Sequence, residues 1–204
     1  LADSARANVL KQVSALGNNA LIVFPRSSRA SGARDGAGSR LNELDARALV
    51  RDSTSITRAV PFLRSSALAV YEAQNTTTSV IGSRADYLEV RNWKVETGEM
   101  WAPSAEAVGE KVCLIGSETA RKLFGTEDPV GKRLRIGRFS YQVLGVLEEK
   151  GQSPFGQNQD EIVLMPIGTM RSTVVRTRPF EVHGLLFSAS SAETTDRAKK
   201  QAEL

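Results

Sequence analysis

The chain has one cysteine and one histidine in 204 residues. A lone cysteine closes no internal disulfide, so no cross-linked framework holds this fold. It does not fix the compartment either. Zinc requires three or four Cys, His or acidic ligands, and Cys113 and His183 lie 70 positions apart, which leaves no metal-ligand spacing. Aromatic residues make up only 6%. Nucleic-acid binders concentrate basic residues in a stripe with aromatics, and no such stripe is present. No run reaches the roughly 18 apolar residues that cross a bilayer. The opening LADSARANVL has no basic segment leading into an apolar one, so it is not a secretory signal. It also lacks an initiator methionine and reads as the start of a domain within a longer protein.

What is present is a globular composition: 41% hydrophobic and 25% charged, enough to bury a core in one large domain or two small ones. The net charge is +4 and the pI about 9.4, a mild attraction to anionic partners. Residues 26–64 hold eight arginines against four acids, read as a solvated face and loop.

Residues 2–16 carry apolar or small residues at Ala5, Val9, Leu10, Val13 and Leu16, a helical spacing that stops at Gly17-Asn18. Both a stalk and an ordinary amphipathic first helix fit it. Ala20–Phe24 is a buried-strand run closed by Pro25, and Ser27–Ser39 is an aperiodic Ser/Gly/Arg loop. Asn42 is placed to cap a helix reaching about Asp52, with Leu44, Ala48 and Leu49 expected inward. From Ile56 the chain turns to β: one long strand or two joined by a bulge to Tyr71, a polar turn, and a β-branched return to Ser83. A new unit starts at Asp86. It contains a loop over Ala102–Glu110, a strand Lys111–Ile115, and a helix Glu118–Leu123 capped by Ser117 and stopped by Gly125. A Pro129-Val130-Gly131 turn, a hairpin across Gly137-Arg138 and a polar loop Gly151–Asp160 follow. A buried strand Ile162–Met165, a short helix or turn Ile167–Val174 and a return strand from His183 come next. Ala192–Leu204 is a charged amphipathic helix without a cap, so more protein is expected after it.

The motifs that promise chemistry fail on spacing. GTEDPVGK, Gly125–Lys132, places five residues between its glycines where a P-loop has four, and Arg133 replaces the Ser or Thr that would reach magnesium. Ser117 follows a strand and opens a helix, but the second glycine of a nucleophile elbow is missing. Glu148 and Glu149 are neighbours on a strand, so their side chains face opposite ways. Cys113 sits in an apolar run and reads as a small buried hydrophobe. Pro154 and Phe155 form an apolar tip on a polar loop, a candidate partner contact. Trp101, with Trp93, is either a partner-facing anchor or core.

Several pieces then coincide in order: Leu16-Gly-Asn-Asn-Ala-Leu-Ile-Val-Phe24, Asp86-Tyr-Leu-Glu-Val90, Gly98-Glu-Met100, Val112-Cys-Leu-Ile-Gly116, Leu123-Phe-Gly125, Asp128-Pro-Val-Gly-Lys132, Phe139-Ser-Tyr-Gln-Val-Leu-Gly-Val-Leu147 and Val163-Leu-Met-Pro166. This order resembles the periplasmic core domain of MacB-type ABC transporter permeases, related to LolC and LolE. The stretch from Leu123-Phe-Gly through Asp128-Pro-Val-Gly-Lys to Val-Leu-Gly-Val carries most of the specificity. The resemblance implies an α+β fold with a stalk helix at 1–18, a porter-like α/β subdomain from 19–85 and 175–204, and an inserted, mainly β, Sabre-like subdomain at 86–174. It implies a location on the periplasmic side of the bacterial inner membrane, with membrane-spanning helices flanking the domain. The parent would be a dimer of permeases, with a periplasmic adaptor protein and peptide, lipoprotein or small-molecule cargo. ATP hydrolysis would occur elsewhere, with no catalytic residue, cofactor, metal or nucleic acid here. The short interval from Ile167 to Glu181 favours MacB-like over Lol-like use. Two rivals remain. A soluble hydrolase with an acid pair requires a pocket of burial-shifted groups, and a basic nucleic-acid module requires affinity that falls steeply with salt.

Overall fold

The computed structural model describes residues 20–24, 41–52, 56–153 and 156–189. The readings on residues 2–18, Pro25, Ser27–Ser39, the Pro154-Phe155 tip and Ala192–Leu204 lie outside the described residues. The fold is α+β and divides into two compact units, Leu1–Phe62 with Thr177–Leu204, and Leu63–Arg176.

In the first unit, β1 (Ala20–Val23), the start of β2 (Ile56–Tyr71) and β9 (Gly184–Ala189) form an antiparallel set with β9 in the centre. Val23 faces Leu185, and Phe62 faces Gly184. The central position explains the run Leu185-Leu186-Phe187, buried throughout. Phe24 and Phe62 meet edge to face at 5.9 Å. Helix α1 (Glu43–Asp52) starts at Asn42, as its sequence predicts. The Asn42 Oδ1 accepts the N–H groups of Leu44 and Asp45, and the Asp45 carboxylate accepts the Asn42 N–H at 2.8 Å, a reciprocal cap. The inward placement of Leu44 is corrected: it is 60% exposed, and Leu41 and Ala46 are buried instead.

In the second unit, β2 and β3 (Gln74–Ser83) are joined by a turn at Glu72. From β3 the strand order is β3-β8-β5-β7-β4, with β8 at Ile162–Pro166, β5 at Val112–Ile115, β7 at Phe139–Leu147 and β4 at Val95–Gly98. The β3–β8 and β5–β7 pairs are parallel; β5–β8 and β4–β7 are antiparallel. β6 (Arg133–Ile136) forms the expected hairpin with β7 and also pairs with β2 at Ala69 and Val70. β5 and β8 are interior strands, and every residue of each is buried, which is why both read as unbroken apolar runs. This unit begins at Leu63, whereas the sequence draws a boundary at Asp86. Residues 63–85 belong with it because β3 lies along β8 and helices α4 (Ser117–Phe124) and α5 (Ile167–Thr173) pack on β3. Gly82 permits the α5 contact: a Cβ there would stand 2.6 Å from the Met170 Cγ.

Two local expectations change. The Ala102–Glu110 loop contains a helix, α3 (Pro103–Val108), which starts on a proline and ends at Gly109 with φ 65°. α2 (Asp86–Val90) is the short helix at the expected start of the new unit. Ser117 does not cap α4; Gly116 holds the cap position and Ser117 is the first helical residue. The Asp160 carbonyl accepts the Thr119 N–H, so a neighbouring loop satisfies a donor that a serine hydroxyl would otherwise meet.

Tyr141 of β7 is fully buried, and its hydroxyl donates to the Thr173 Oγ1 of α5 at 2.7 Å. The Thr173 hydroxyl in turn donates to the Thr169 carbonyl. Burial raises the phenol above its ordinary range. Tyr141→Phe is expected to cost about 1 kcal/mol, the net worth of one hydrogen bond, read as a lower midpoint in chemical unfolding.

Candidate functional site

The residues that drew attention for chemistry are not assembled into a catalytic arrangement. Cys113 is fully buried on β5, and burial pushes its thiol up, away from the reactive thiolate. Glu148 is used structurally: its carboxylate accepts the Lys94 N–H at 3.2 Å and its carbonyl accepts the Trp93 indole N–H at 2.7 Å. His183 belongs to the first unit, where its backbone N–H donates to the Phe62 carbonyl. Among the described residues no three His, Cys, Asp or Glu side chains gather to hold a metal. No described helix is long and apolar enough to cross a membrane.

Trp101 is 3% exposed, with its indole N–H on the Glu106 carboxylate at 3.3 Å. Trp93 is also buried. Both belong to the core of the second unit, which takes Trp101 off the exposed surface.

The Gly151–Asp160 loop is the most built feature of the second unit. Its base is a clamp on Asp160, a carboxylate 3% exposed that the sequence reads only as part of a polar loop. Its two oxygens accept the N–H groups of Lys150 and Gly151, both at 2.7 Å. Gln159 N–H returns to the Gly151 carbonyl at 3.0 Å, and Gln152 bridges Asn158. Arg91 at the end of α2 donates to the Gln159 side chain at 2.7 Å. The Lys150 ammonium donates to the Arg91 carbonyl at 2.8 Å and lies 5.6 Å from the Trp93 ring. Desolvation, with the Arg91 charge beside it, lowers the Lys150 pKa. The loop base is thus fastened to α2, α4 and Trp93, all in one unit. No signal in GQSPFGQNQD separates the buried Asp160 from its exposed polar neighbours.

The Asp128-Pro-Val-Gly corner is equally specific. The Asp128 carboxylate accepts the Val130 N–H at 3.0 Å, Lys132 N–H closes the turn on the Pro129 carbonyl at 3.1 Å, and Gly131 takes φ 84°. That sign of φ is what a Pro-x-Gly turn requires. Lys132 pairs with Glu127, whose carboxyl it holds below the usual range. Glu127 accepts the Tyr71 hydroxyl, and Tyr71 stacks on Phe124 at 4.2 Å. The stretch from Phe124 to Lys132 is a corner that fastens the end of β2 and offers no phosphate cradle.

The class that this two-unit α+β domain matches is the extracytoplasmic part of ABC transporter permeases. The extracellular domain of the noncanonic ABC-type transporter YknZ from Gram-positive bacteria has the same fold, with a TM-score of 0.71, 22% identity and 90% of each chain covered. So does the periplasmic region of MacB from Actinobacillus actinomycetemcomitans, with a TM-score of 0.68 and 18% identity over 91% of this chain and 81% of that one. Residues 1–203 match the MacB-like periplasmic core domain, and the chain belongs to that family. The macrolide export ATP-binding/permease protein MacB of Azoarcus sp. is 34% identical over 85% of this chain, and that of Syntrophobacter fumaroxidans 26% identical over 96%. The chain spans 26% and 28% of the length of these two relatives. It is therefore the periplasmic core domain of a MacB-like ABC transporter permease, on the extracytoplasmic side of the membrane.

Proposed function

We propose that this domain acts as a lever: it relays the ATP-driven movement of its parent transporter to cargo or an adaptor outside the membrane and catalyses nothing itself. The observation that carries the reading is the division of the chain. One unit joins residues before Leu63 to residues after Arg176, and the other is a single insertion. We assign the first as porter-like and the insertion as Sabre-like, its boundary moved from Asp86 to Leu63. Displacement of the first unit would pull on the second through the two chain crossings, Phe62–Leu63 and Arg176–Thr177. A second permease copy completes the assembly, and the cargo is a peptide, a lipoprotein or a small molecule. Pro154 and Phe155 belong by sequence to the segment whose base Asp160 clamps, and we assign them as a partner contact.

The test uses the full-length transporter in liposomes. Replacing residues 152–158 by a Gly-Ser segment of equal length is expected to leave basal ATP hydrolysis within about twofold. Coupled export should fall roughly tenfold, the size of a lost contact of about 1.4 kcal/mol. Unchanged export would remove the loop from the relay. ATP hydrolysis by the isolated domain would overturn the non-catalytic reading.

A further inference from the structure

The strands of the second unit close on themselves. From β2 the neighbours run β3, β8, β5 and β7, and β6, the hairpin partner of β7, pairs back to β2. The ring is not equally firm all round. β3 follows β8 from Ser79 to Ser83, and β6 follows β7 from Arg133 to Ile136. β5 meets β8 at Leu114 and Ile115, where both strands are buried at every residue and the Gly116 N–H extends the pairing onto the Ile162 carbonyl. β6 meets β2 with Ile136 against Ala69 and Arg135 against Val70. This seam lies at the surface: Arg135 and Ser140 are exposed, Val70 is half-buried and Leu68 is 50% exposed. Backbone bonds beside water open at lower cost than those inside a core.

The seam strand is also the strand that leaves the unit. β2 runs from Ile56 to Tyr71 without a break, and the division between the units falls inside it, at Phe62–Leu63. A force on the first unit therefore enters the second along β2 and shears that strand against its neighbours. The other crossing, Arg176–Thr177, lies in irregular chain after α5, where backbone rotation takes up displacement. β3, the hairpin partner of β2, is held by β8, by the Thr76 hydroxyl on Glu161 at 3.1 Å and by the Thr78–Thr119 hydroxyl pair at 3.3 Å. That leaves the pairing with β6 as the one to give way. A catch spans it. Tyr71, the last residue of β2, stacks on Phe124 and donates its hydroxyl to Glu127 at 3.4 Å. Glu127 also holds Lys132, which directly precedes β6 and whose ammonium lies 5.8 Å from the Tyr71 ring.

We infer that the β2–β6 seam is the part of the second unit that yields when the first unit is displaced, and that the Tyr71, Glu127 and Lys132 catch resets it. The ring is closed at rest and slips at one place under load, a two-state element and not a graded spring. The inference rests on the proposed relay, since it names where the relay deforms.

The test locks the seam in the full-length transporter in liposomes. Val70 and Arg135 face each other across an antiparallel pair, a separation that a disulfide spans. Val70→Cys with Arg135→Cys, once oxidised, should lower coupled export about tenfold, in step with the share of domains able to reach the displaced state. Basal ATP hydrolysis should continue, and reduction should restore export. Cys113 is fully buried and does not compete. The control, Arg133→Cys with Gln142→Cys, ties β6 to β7 and should leave export unchanged. Export indifferent to the seam disulfide, or lost equally in the control, would overturn the inference. Amide hydrogen exchange separates the seam from the relay itself. Residues 67–71 and 133–137 should exchange faster during ATP turnover than without nucleotide, while Leu114 and Leu164 stay protected. Tyr71→Ala should raise seam exchange before nucleotide is added, and an unchanged seam in that variant would remove the catch. Faster exchange elsewhere in the domain with the seam unaltered rejects the seam and leaves the relay standing. No change anywhere in the domain rejects both.

Discussion

Gly116→Ala is expected to destabilise the second unit by about 3 kcal/mol or more, the upper range for forcing atoms into a packed interior. Gly116 takes φ −72°, so a side chain meets no backbone strain there. The obstacle is space. A Cβ would run into the Asp160 carbonyl oxygen and stand 2.7 Å from its carbon and 2.9 Å from the Ile162 Cγ2. The first two are backbone atoms and cannot swing aside. The backbone on each side of the contact is also committed: the Asp160 carbonyl accepts the Thr119 N–H, and Gly116 N–H donates to the Ile162 carbonyl at 2.9 Å. Moving either segment breaks the β5-to-α4 corner. Urea unfolding is the measurement, and the midpoint should fall by about 1 M or more at ordinary slopes. A midpoint within error of the parent would show that the corner has room the geometry denies.

Asp160→Ala should cost about 2–4 kcal/mol, because the change strands two N–H donors that a buried carboxylate now holds. Both bonds are short and charge-assisted, and the Lys150 and Gly151 amides have no other acceptor among those found for the described residues. Asp160→Asn is not a clean rescue, since its NH2 would face one of the same donors. Amide hydrogen exchange distinguishes the outcomes. Lys150 and Gly151 should lose protection before the interior strands do, and the Gln159 return bond should loosen with them. Retained protection at both amides would mean that the loop closes without its carboxylate. In the full transporter the same variant should lower export while ATP hydrolysis continues, if the loop tip touches a partner.

How much of this was readable in the residues depended on how local each cause was. The apolar runs of β5 and β8, the Gly137-Arg138 hairpin, the Asn42 cap and the Pro129-Val-Gly131 turn are set by neighbours in sequence, and the expected elements agree with those observed. The α+β class follows from the same signals. The clamp was not readable. Asp160 is buried because α4 and β8 meet it, and those segments are far from it in pattern if not in number. Ser117 looked like a cap because its type and position were right; a carbonyl from another loop had already taken a donor at that helix end. Leu44 looked inward by periodicity, but the half-turn is set by Leu41 and Ala46. Trp101 was open to two readings because a tryptophan serves core and surface alike, and the Glu106 acceptor that settles its indole is a tertiary fact. Phe180 takes φ 64° directly after Pro179, which a Pro-Phe pair does not announce.

The pairing of β1 and β2 with β9 has a consequence for the order of assembly. The second unit is one uninterrupted stretch, and all its strands exist once residue 176 has been made. The first unit cannot close then, since among the described residues Ala20–Val23 and Ile56–Phe62 are joined only through Gly184–Ala189. Emerging from a translocation channel, the insertion can fold while its carrier still waits for its last strand. The slow step should be that long-range closure, and a chain cut just after Arg176 should keep a folded centre with two unpaired edges.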